Sequence, residues 1–249
     1  MSALVLDRIC KQIGGAEINR EISVQLEPGD RRALIGPNGA GKTTLFNIAA
    51  GLVPPTSGRV MLRGRDVTHT PAHRRARRGL ARTFQITNLM PALTVAENLA
   101  LAVQAGSRQC WNPVRPWRKL GFVWAKVGEL LERGHLGDVR DTAVASLPYG
   151  RQRTLEIIVA VARPSSVILL DEPGAGLSSE ETEELMQLVF GLGSELAVMF
   201  IDHDLDLCLR LATAVTVLHL GEVVAEGSPG EIRSSGVLDE IYLGVPGHA

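Results

Sequence analysis

GPNGAGKTT, running from Gly36 to Thr44, is the stretch that decides the fold class of this chain. Gly36, Gly41, Lys42 and Thr43 fill the pattern G-x-x-x-x-G-K-[ST], and each residue type in it has its own task. The glycines let backbone N–H groups turn inward around a polyphosphate. The lysine brings a point charge to the β- and γ-phosphates, and the threonine hydroxyl helps to hold Mg²⁺. The candidate phosphate-binding residues are therefore Gly36, Pro37, Asn38, Gly39, Ala40, Gly41, Lys42, Thr43 and Thr44. The flanks agree with this reading. Arg32-Ala33-Leu34-Ile35 is strand-like, and after the loop Leu45, Ile48, Ala49 and Leu52 recur at helical spacing. A strand, a glycine-rich loop and a helix N-terminus together make an anion site, because the first N–H groups of a helix are unpaired and its dipole favours negative charge.

The composition bounds what surrounds this loop. The 249 residues allow one large α/β domain or two small ones, and 45% hydrophobic residues allow a sizeable core. With 26 basic against 27 acidic residues the net charge is −1, which gives no electrostatic case for a nucleic-acid partner. Cys10, Cys110 and Cys208 are scattered and form no CxxC pair, so neither a disulfide framework nor a zinc site is expected, and a reducing compartment fits. Asp7-Arg8 interrupts the first apolar run, which argues against a signal peptide. No apolar run approaches the roughly 18 residues of a membrane helix. A membrane role therefore has to come through a partner.

Along the chain, Ile22, Val24 and Leu26 alternate with polar residues as in a half-buried strand, and Glu27-Pro28-Gly29-Asp30 is a turn. Gly51 stands where the helix after the phosphate loop would end, and Gly58–Gly64 reads as a further strand of an antiparallel layer. Thr68 to Arg82 carries Arg74, Arg75, Arg77, Arg78 and Arg82, and reads as a solvated helix face. Residues 89–145 look mostly helical, with a capping box at Thr94 and Glu97 ahead of Leu99, Leu101 and Val103. Trp111, Trp117, Phe122 and Trp124 cluster there among Arg115, Arg118, Lys119 and Lys126. The cluster reads as local packing of a small helical unit or as a docking surface. Beyond residue 165 the pattern is α/β again. Val167–Leu170 and Ala197–Ile201 are runs fit for strands buried on both faces, and Ser178 and Glu181 cap a helix carrying Leu185, Leu188, Val189 and Leu192. Val215–Glu226 reads as two strands about a Gly221-Glu222 turn. This alternation predicts a mostly parallel sheet with helices on its faces.

Chemistry gathers at the strand ends. Asp171 and Glu172 close the Val167–Leu170 run at the edge where open α/β sheets bind ligands. Asp171 suits Mg²⁺ coordination as in P-loop NTPases, and Glu172 suits a general base that polarises the attacking water. His203, in Asp202-His203-Asp204, leaves the next buried strand toward the same edge, where it either meets a γ-phosphate or water or serves as a surface or switch histidine. Gln85 falls where the chain changes character, positioned to meet Mg²⁺ and a mobile subdomain or to be an ordinary polar surface residue. No N-K-x-D guanine motif occurs.

In combination these pieces resemble the ATP-binding subunit of ABC transporters over essentially the whole chain. Walker A is Gly36–Thr44, the Q-loop carries Gln85, and the signature segment is Leu147-Pro148-Tyr149-Gly150-Arg151-Gln152-Arg153. Walker B is Val167–Asp171, Glu172 matches the catalytic glutamate, Gly174–Ser178 the D-loop, and His203 the switch histidine. Three stretches resemble the LivG-type ATPases of branched-chain amino acid importers: ARTFQITNLMPALTVAENL (81–99), LPYGRQRTLEI (147–157) and VAEGSPGEIRSSGVLDEIYLG (224–244).

The resemblance implies a single ABC nucleotide-binding domain of the P-loop, RecA-like fold. Its ATP-binding core would comprise residues 1–88 and 160–235, its helical subdomain 89–159 and its C-terminal tail 236–249. It implies Mg²⁺-dependent ATP hydrolysis with Glu172, His203, Gln85 and Lys42 as catalytic residues and Thr43, Gln85 and Asp171 at the metal. Leu147, Pro148, Gly150, Arg151 and Gln152 would contact ATP held by a second subunit. The implied partners are a second ABC ATPase, paralogous or identical, two membrane permease subunits and indirectly an extracytoplasmic binding protein, on the cytoplasmic face of the membrane. Importers of urea, short amides or aromatic compounds share much of this pattern, and a regulatory ATP-binding partner is a further alternative. An ABC ATPase acting on DNA or ribosomes would carry two ATP-binding units or long charged insertions, which this chain lacks. Three positions depart from the family: Pro148 stands for the usual serine, Arg151 for a common glutamine, and Ile13 where an aromatic often stacks on adenine.

Overall fold

The computed structural model describes residues 1–83, 89–105 and 121–243. The chain divides into two compact units. The first comprises Met1–Arg82, Ser165–Ala175 and Gly193–Ala249, and the second Thr83–Pro164 and Gly176–Leu192.

The first unit holds two sheets. Strands β1 (Leu4–Ile13), β2 (Ala16–Leu26), β4 (Ser57–Leu62) and β5 (Arg65–Asp66) form an antiparallel sheet in the order β2-β1-β4-β5. The Gly58–Gly64 strand thus stops at Leu62, and Arg63-Gly64 turns the chain into β5. The central sheet has six strands: β3 (Arg31–Ile35), β6 (Leu80–Arg82), β7 (Val167–Asp171), β8 (Ala197–Ile201), β9 (Ala214–His219) and β10 (Glu222–Gly227). Their order is β10-β9-β3-β8-β7-β6, and every pairing is parallel except that of the edge strand β10 with β9. The expected mostly parallel sheet is present. Strand β3 lies between β8 and β9, so the chain order reverses at β3. The crevice outside the C-terminal ends of the strands at such a reversal is where open α/β sheets bind ligands.

Helix α1 (Lys42–Ala50) covers one face of the central sheet. Its Leu45, Phe46, Ile48 and Ala49 join one core with Leu34, Leu169, Met199 and Ile201 below and Leu4, Leu6, Ile22 and Val24 of the antiparallel sheet above. Ile168, Leu170, Val198 and Phe200, the alternate residues of β7 and β8, are buried on the opposite face. These strands are apolar on both sides for that reason. Gly51 ends α1, its N–H bonding back to Ile48 O, so Leu52 falls outside the helix and stands 49% exposed instead of continuing the apolar stripe. Helix α2 (Ala72–Arg77) follows β5. The β9–β10 turn is Leu220-Gly221, one residue earlier than the sequence suggests, with His219 paired to Glu222.

The second unit carries α3 (Val95–Ala105), α4 (Gly121–Arg133), a 3₁₀ turn at Val144–Ser146, α5 (Tyr149–Ala160) and α6 (Ser179–Phe190). Both expected capping boxes form. Thr94 Oγ1 accepts Glu97 N–H at 3.2 Å while Glu97 returns to Thr94 N–H at 3.1 Å, and Ser178 and Glu181 do the same. The first unit closes with α7 (Leu205–Leu211), α8 (Pro229–Ser234) and α9 (Val237–Leu243). Among the described residues no helix is long and apolar enough to cross a membrane.

Candidate active site

Gly36–Thr44 leaves the end of β3 and enters α1, and it forms one wall of an open cleft of about 400 Å³. Asn38, Gly39, Ala40, Gly41, Lys42, Thr43 and Thr44 line the cleft together with Glu172, Ile201, Asp202, His203 and Ile18. The loop is tightly backed. An added Cβ on Gly41, whose φ is 95°, would lie 2.4 Å from Asn19 Nδ2 and 2.6 Å from Ile18 O. Asn19, buried in β2, donates from Nδ2 to Gly41 O at 3.2 Å. A side chain at Gly41 would therefore push the antiparallel sheet off the loop. Lys42 folds back on the loop, donating to Gly36 O at 2.5 Å and Pro37 O at 3.0 Å. Burial pulls its ammonium below the ordinary 10.5, and the charge of Glu172 partly opposes that shift.

The opposite wall comes from the C-terminal ends of β7 and β8. Glu172 has φ 47°, a left-handed conformation that costs a non-glycine residue about 1–3 kcal/mol. Its N–H donates to Ile201 O at 2.8 Å, and this bond ties the strained turn to β8. Glu172 Oε1 lies 2.8 Å from His203 Nε2. The structure thus brings Glu172 and His203 together beside Lys42, as strand register places the ends of neighbouring strands side by side. The three residues after β8 have separate tasks. Asp202 accepts Gly174 N–H at 2.8 Å, His203 meets Glu172, and Asp204 caps α7 through the N–H groups of Asp206 and Leu207. Beneath them burial pushes the Cys208 thiol up to about 12, so it is a neutral packing group.

Asp171, the last residue of β7, takes a bond from Arg82 Nη2 at 2.8 Å, and both side chains are nearly buried. Arg82 also donates to Asn47 Oδ1 at 2.7 Å and lies over the Phe46 ring at 5.4 Å. The basic run is therefore not one solvated face. Arg74, Arg77 and Arg78 are exposed, but Arg75 is 1% exposed and Arg82 holds an acid. Alternating arginines along α2 and β6 face different surroundings, and composition alone does not reveal which.

Gln85, Trp111, Trp117, Arg115, Arg118, Lys119 and Cys110 lie outside the described residues. Of the aromatic cluster, Phe122 and Trp124 lie on α4, Phe122 43% exposed and Trp124 partly buried. In the second unit Pro148 is the N-cap of α5, one residue before the first-turn position that suits proline, and no side chain caps the helix there. Glu181 sits against Gly150 instead. Its carboxyl is held below the ordinary value by the Ser178 N–H and hydroxyl and, more weakly, by the Gly150 backbone. Arg151 donates to His135 O at 2.5 Å, Gln152 to Leu147 O at 2.9 Å, and Arg153 pairs with buried Glu156 at 2.7 Å. Ile13, 54% exposed, lies at the end of β1 and is not among the cleft residues, whereas Ile18 is one of them.

Residues 19–175 match the family model described as ABC transporter. The chain belongs to the ABC transporter family. As a member it binds nucleotide and is an ATPase. It is 32% identical to the high-affinity branched-chain amino acid transport ATP-binding protein BraF of Pseudomonas aeruginosa, with 97% of each chain covered. It is also 32% identical to LivG of Escherichia coli K12, at the same coverage. Similarity extends to the lipopolysaccharide export system ATP-binding protein LptB of Acidithiobacillus ferridurans, 35% identical over 90% of each chain. A solved ABC transporter cassette in its ADP conformation superposes with a TM-score of 0.84 at 27% identity, over 98% of this chain and 100% of that one. The P-loop fold expected from the motifs is thus the fold of this ABC cassette.

Proposed function

We propose that this ABC ATPase energises a membrane importer of branched-chain amino acids, with its catalytic machinery in the cleft between the phosphate loop and the Glu172–His203 pair. That pair, 2.8 Å apart beside Lys42, carries the reading. Gly36–Thr44 cradles the phosphates through backbone N–H groups, Lys42 leaves its loop carbonyls for the β- and γ-phosphates, and Ile18 offers apolar surface at the rim. Glu172 takes the proton of the attacking water, and His203 orients the Glu172 carboxylate from the other side. Mg²⁺ suits the donor set, because it takes one or two protein oxygens beside water and phosphate. Thr43 in the cleft and Asp171 at the end of β7 would hold it, with Gln85 as the third proposed contact. When bound, the ion neutralises charge on the phosphates.

Coverage of 97% of both chains by BraF and LivG supports amino acid import. In this reading the chain sits on the cytoplasmic face of the membrane through two permease subunits and pairs with a second ATP-binding chain. Leu147, Pro148, Gly150, Arg151 and Gln152 then face the partner's nucleotide. The tryptophan-rich span, of which Phe122 and Trp124 are described, meets the permease. Similarity to LptB supports a second reading, export of a lipid-linked substrate. Glu172→Gln is expected to cut ATP turnover at least about 100-fold while nucleotide binding persists. Unchanged turnover would remove Glu172 from its role. ATP-driven uptake of labelled leucine, isoleucine or valine by vesicles holding the assembled complex tests the substrate, and failure to accumulate any of them would sink the importer assignment.

A further inference from the structure

The first residue of the phosphate loop is bonded from the far end of the chain. Gly36 N–H donates to the Tyr242 hydroxyl at 2.9 Å, across 206 positions of sequence. Tyr242 stands on α9, the last described helix, within the same unit as the loop. Gly36 is a position with few other means of support. It is buried, its φ is 148°, and an added Cβ would lie 2.0 Å from Leu218 O, so only glycine fits and no side chain of its own can brace it. The parallel pairing of β3 with β9 ends at Ile35 and Val217, just before it. A buried backbone N–H left without an acceptor loses the full value of its solvation, so the Tyr242 oxygen decides whether this peptide is stable where it is. The carbonyl of the same residue, in the next peptide, accepts Lys42 Nζ. A lysine drawn onto a polyphosphate gives up its hold on that carbonyl, whereas the Tyr242 bond does not depend on Lys42.

We propose that Tyr242 is a positioning residue for nucleotide binding: its hydroxyl fixes the Gly36 peptide, so that the phosphate loop keeps its cradle shape when Lys42 turns to the phosphates. This rests on the reading of Gly36–Thr44 as the cradle. Burial pushes the phenol above its ordinary value, so the group is a neutral hydroxyl throughout the physiological range.

Tyr242→Phe keeps the ring and deletes only the oxygen. In calorimetric titrations of the full-length chain, the Kd for ATP and for ADP is expected to rise about tenfold, the equivalent of one hydrogen bond lost at a buried donor. Tyr242→Leu should go little further, because the ring is not the operative part. In ATPase assays KM for ATP should rise by a similar factor while kcat changes less, since the loop grips ground and transition states alike. Wild-type Kd and KM in Tyr242→Phe would overturn the proposal, and so would a lowered melting temperature with both constants unchanged, the mark of a merely structural contact. Lys42→Ala separates the two layers. If it leaves nucleotide affinity untouched, the cradle reading fails and takes the proposal with it. If it weakens binding while Tyr242→Phe does not, the positioning role alone fails.

Discussion

Arg75 shows what a residue's neighbours decide. Its guanidinium donates to Ile48 O and Ala49 O at 2.7 Å, Thr70 O at 2.8 Å and Thr68 O at 2.9 Å. The first two are carbonyls of the last turn of α1, where a cation also meets the negative end of the helix dipole. Burial pulls the guanidinium down to about 10, which leaves it fully charged at neutral pH. Arg75 therefore clamps the helix whose first residue is Lys42. Arg75→Met keeps much of the volume and strands the carbonyls, so a loss of about 3 kcal/mol is expected, read as a lower urea midpoint at unchanged slope. Arg75→Lys should recover only part, because an ammonium has no planar fork. Arg82 on Asp171 and Tyr242 on Gly36 belong to the same class. Each is an unremarkable letter in the chain whose task comes from an atom brought close by folding.

Elements were more legible, because their signals are local. The Thr94–Glu97 and Ser178–Glu181 boxes join residues three apart, and the runs at Val167–Leu170 and Ala197–Ile201 became buried strands as their composition requires. Strand β2 marks the limit. Ile22, Val24 and Leu26 point inward, but the irregular pairing of β1 with β2 shifts the phase, and Glu21 adopts φ 45°. Asn19 is thereby turned to the phosphate loop, and strict alternation would have set it outside. Helix α5 carries a testable consequence of burial. Glu156 is raised above its ordinary 4.5 by desolvation, which outweighs the lowering effect of Arg153. The folded chain thus holds this proton to higher pH than the unfolded chain. The stability it contributes is full below 4.5 and is lost as pH rises through the folded value. Glu156→Gln should flatten that decline just above pH 4.5 in unfolding titrations, and a profile parallel to the wild type would refute the assignment.

At the scale of the first unit, one turn joins the two sheets. Arg20 N–H in β2 donates to Gly221 O at 2.8 Å, and Gly221, at φ 85°, leaves no room for a Cβ, which would lie 2.6 Å from Ile18 O. Gly221→Ala should cost about 2 kcal/mol from strain and displacement. It should lower Tm by roughly 4–8 °C for a chain of this size, and an unaltered melting curve would show the sheets do not depend on this contact. The fold class, the central helices and strands, the phosphate loop and the strand-end acids were all readable from residue order, because each rests on spacing within a few positions. Folding had to supply the pairing of Glu172 with His203, the hold of Arg82 on Asp171, the packing of Asn19 behind Gly41 and the bond from Tyr242 to Gly36. These contacts join residues 22 to 206 positions apart. No local pattern encodes such contacts, since they exist only once parallel register and the stacking of two sheets on α1 have set the distances.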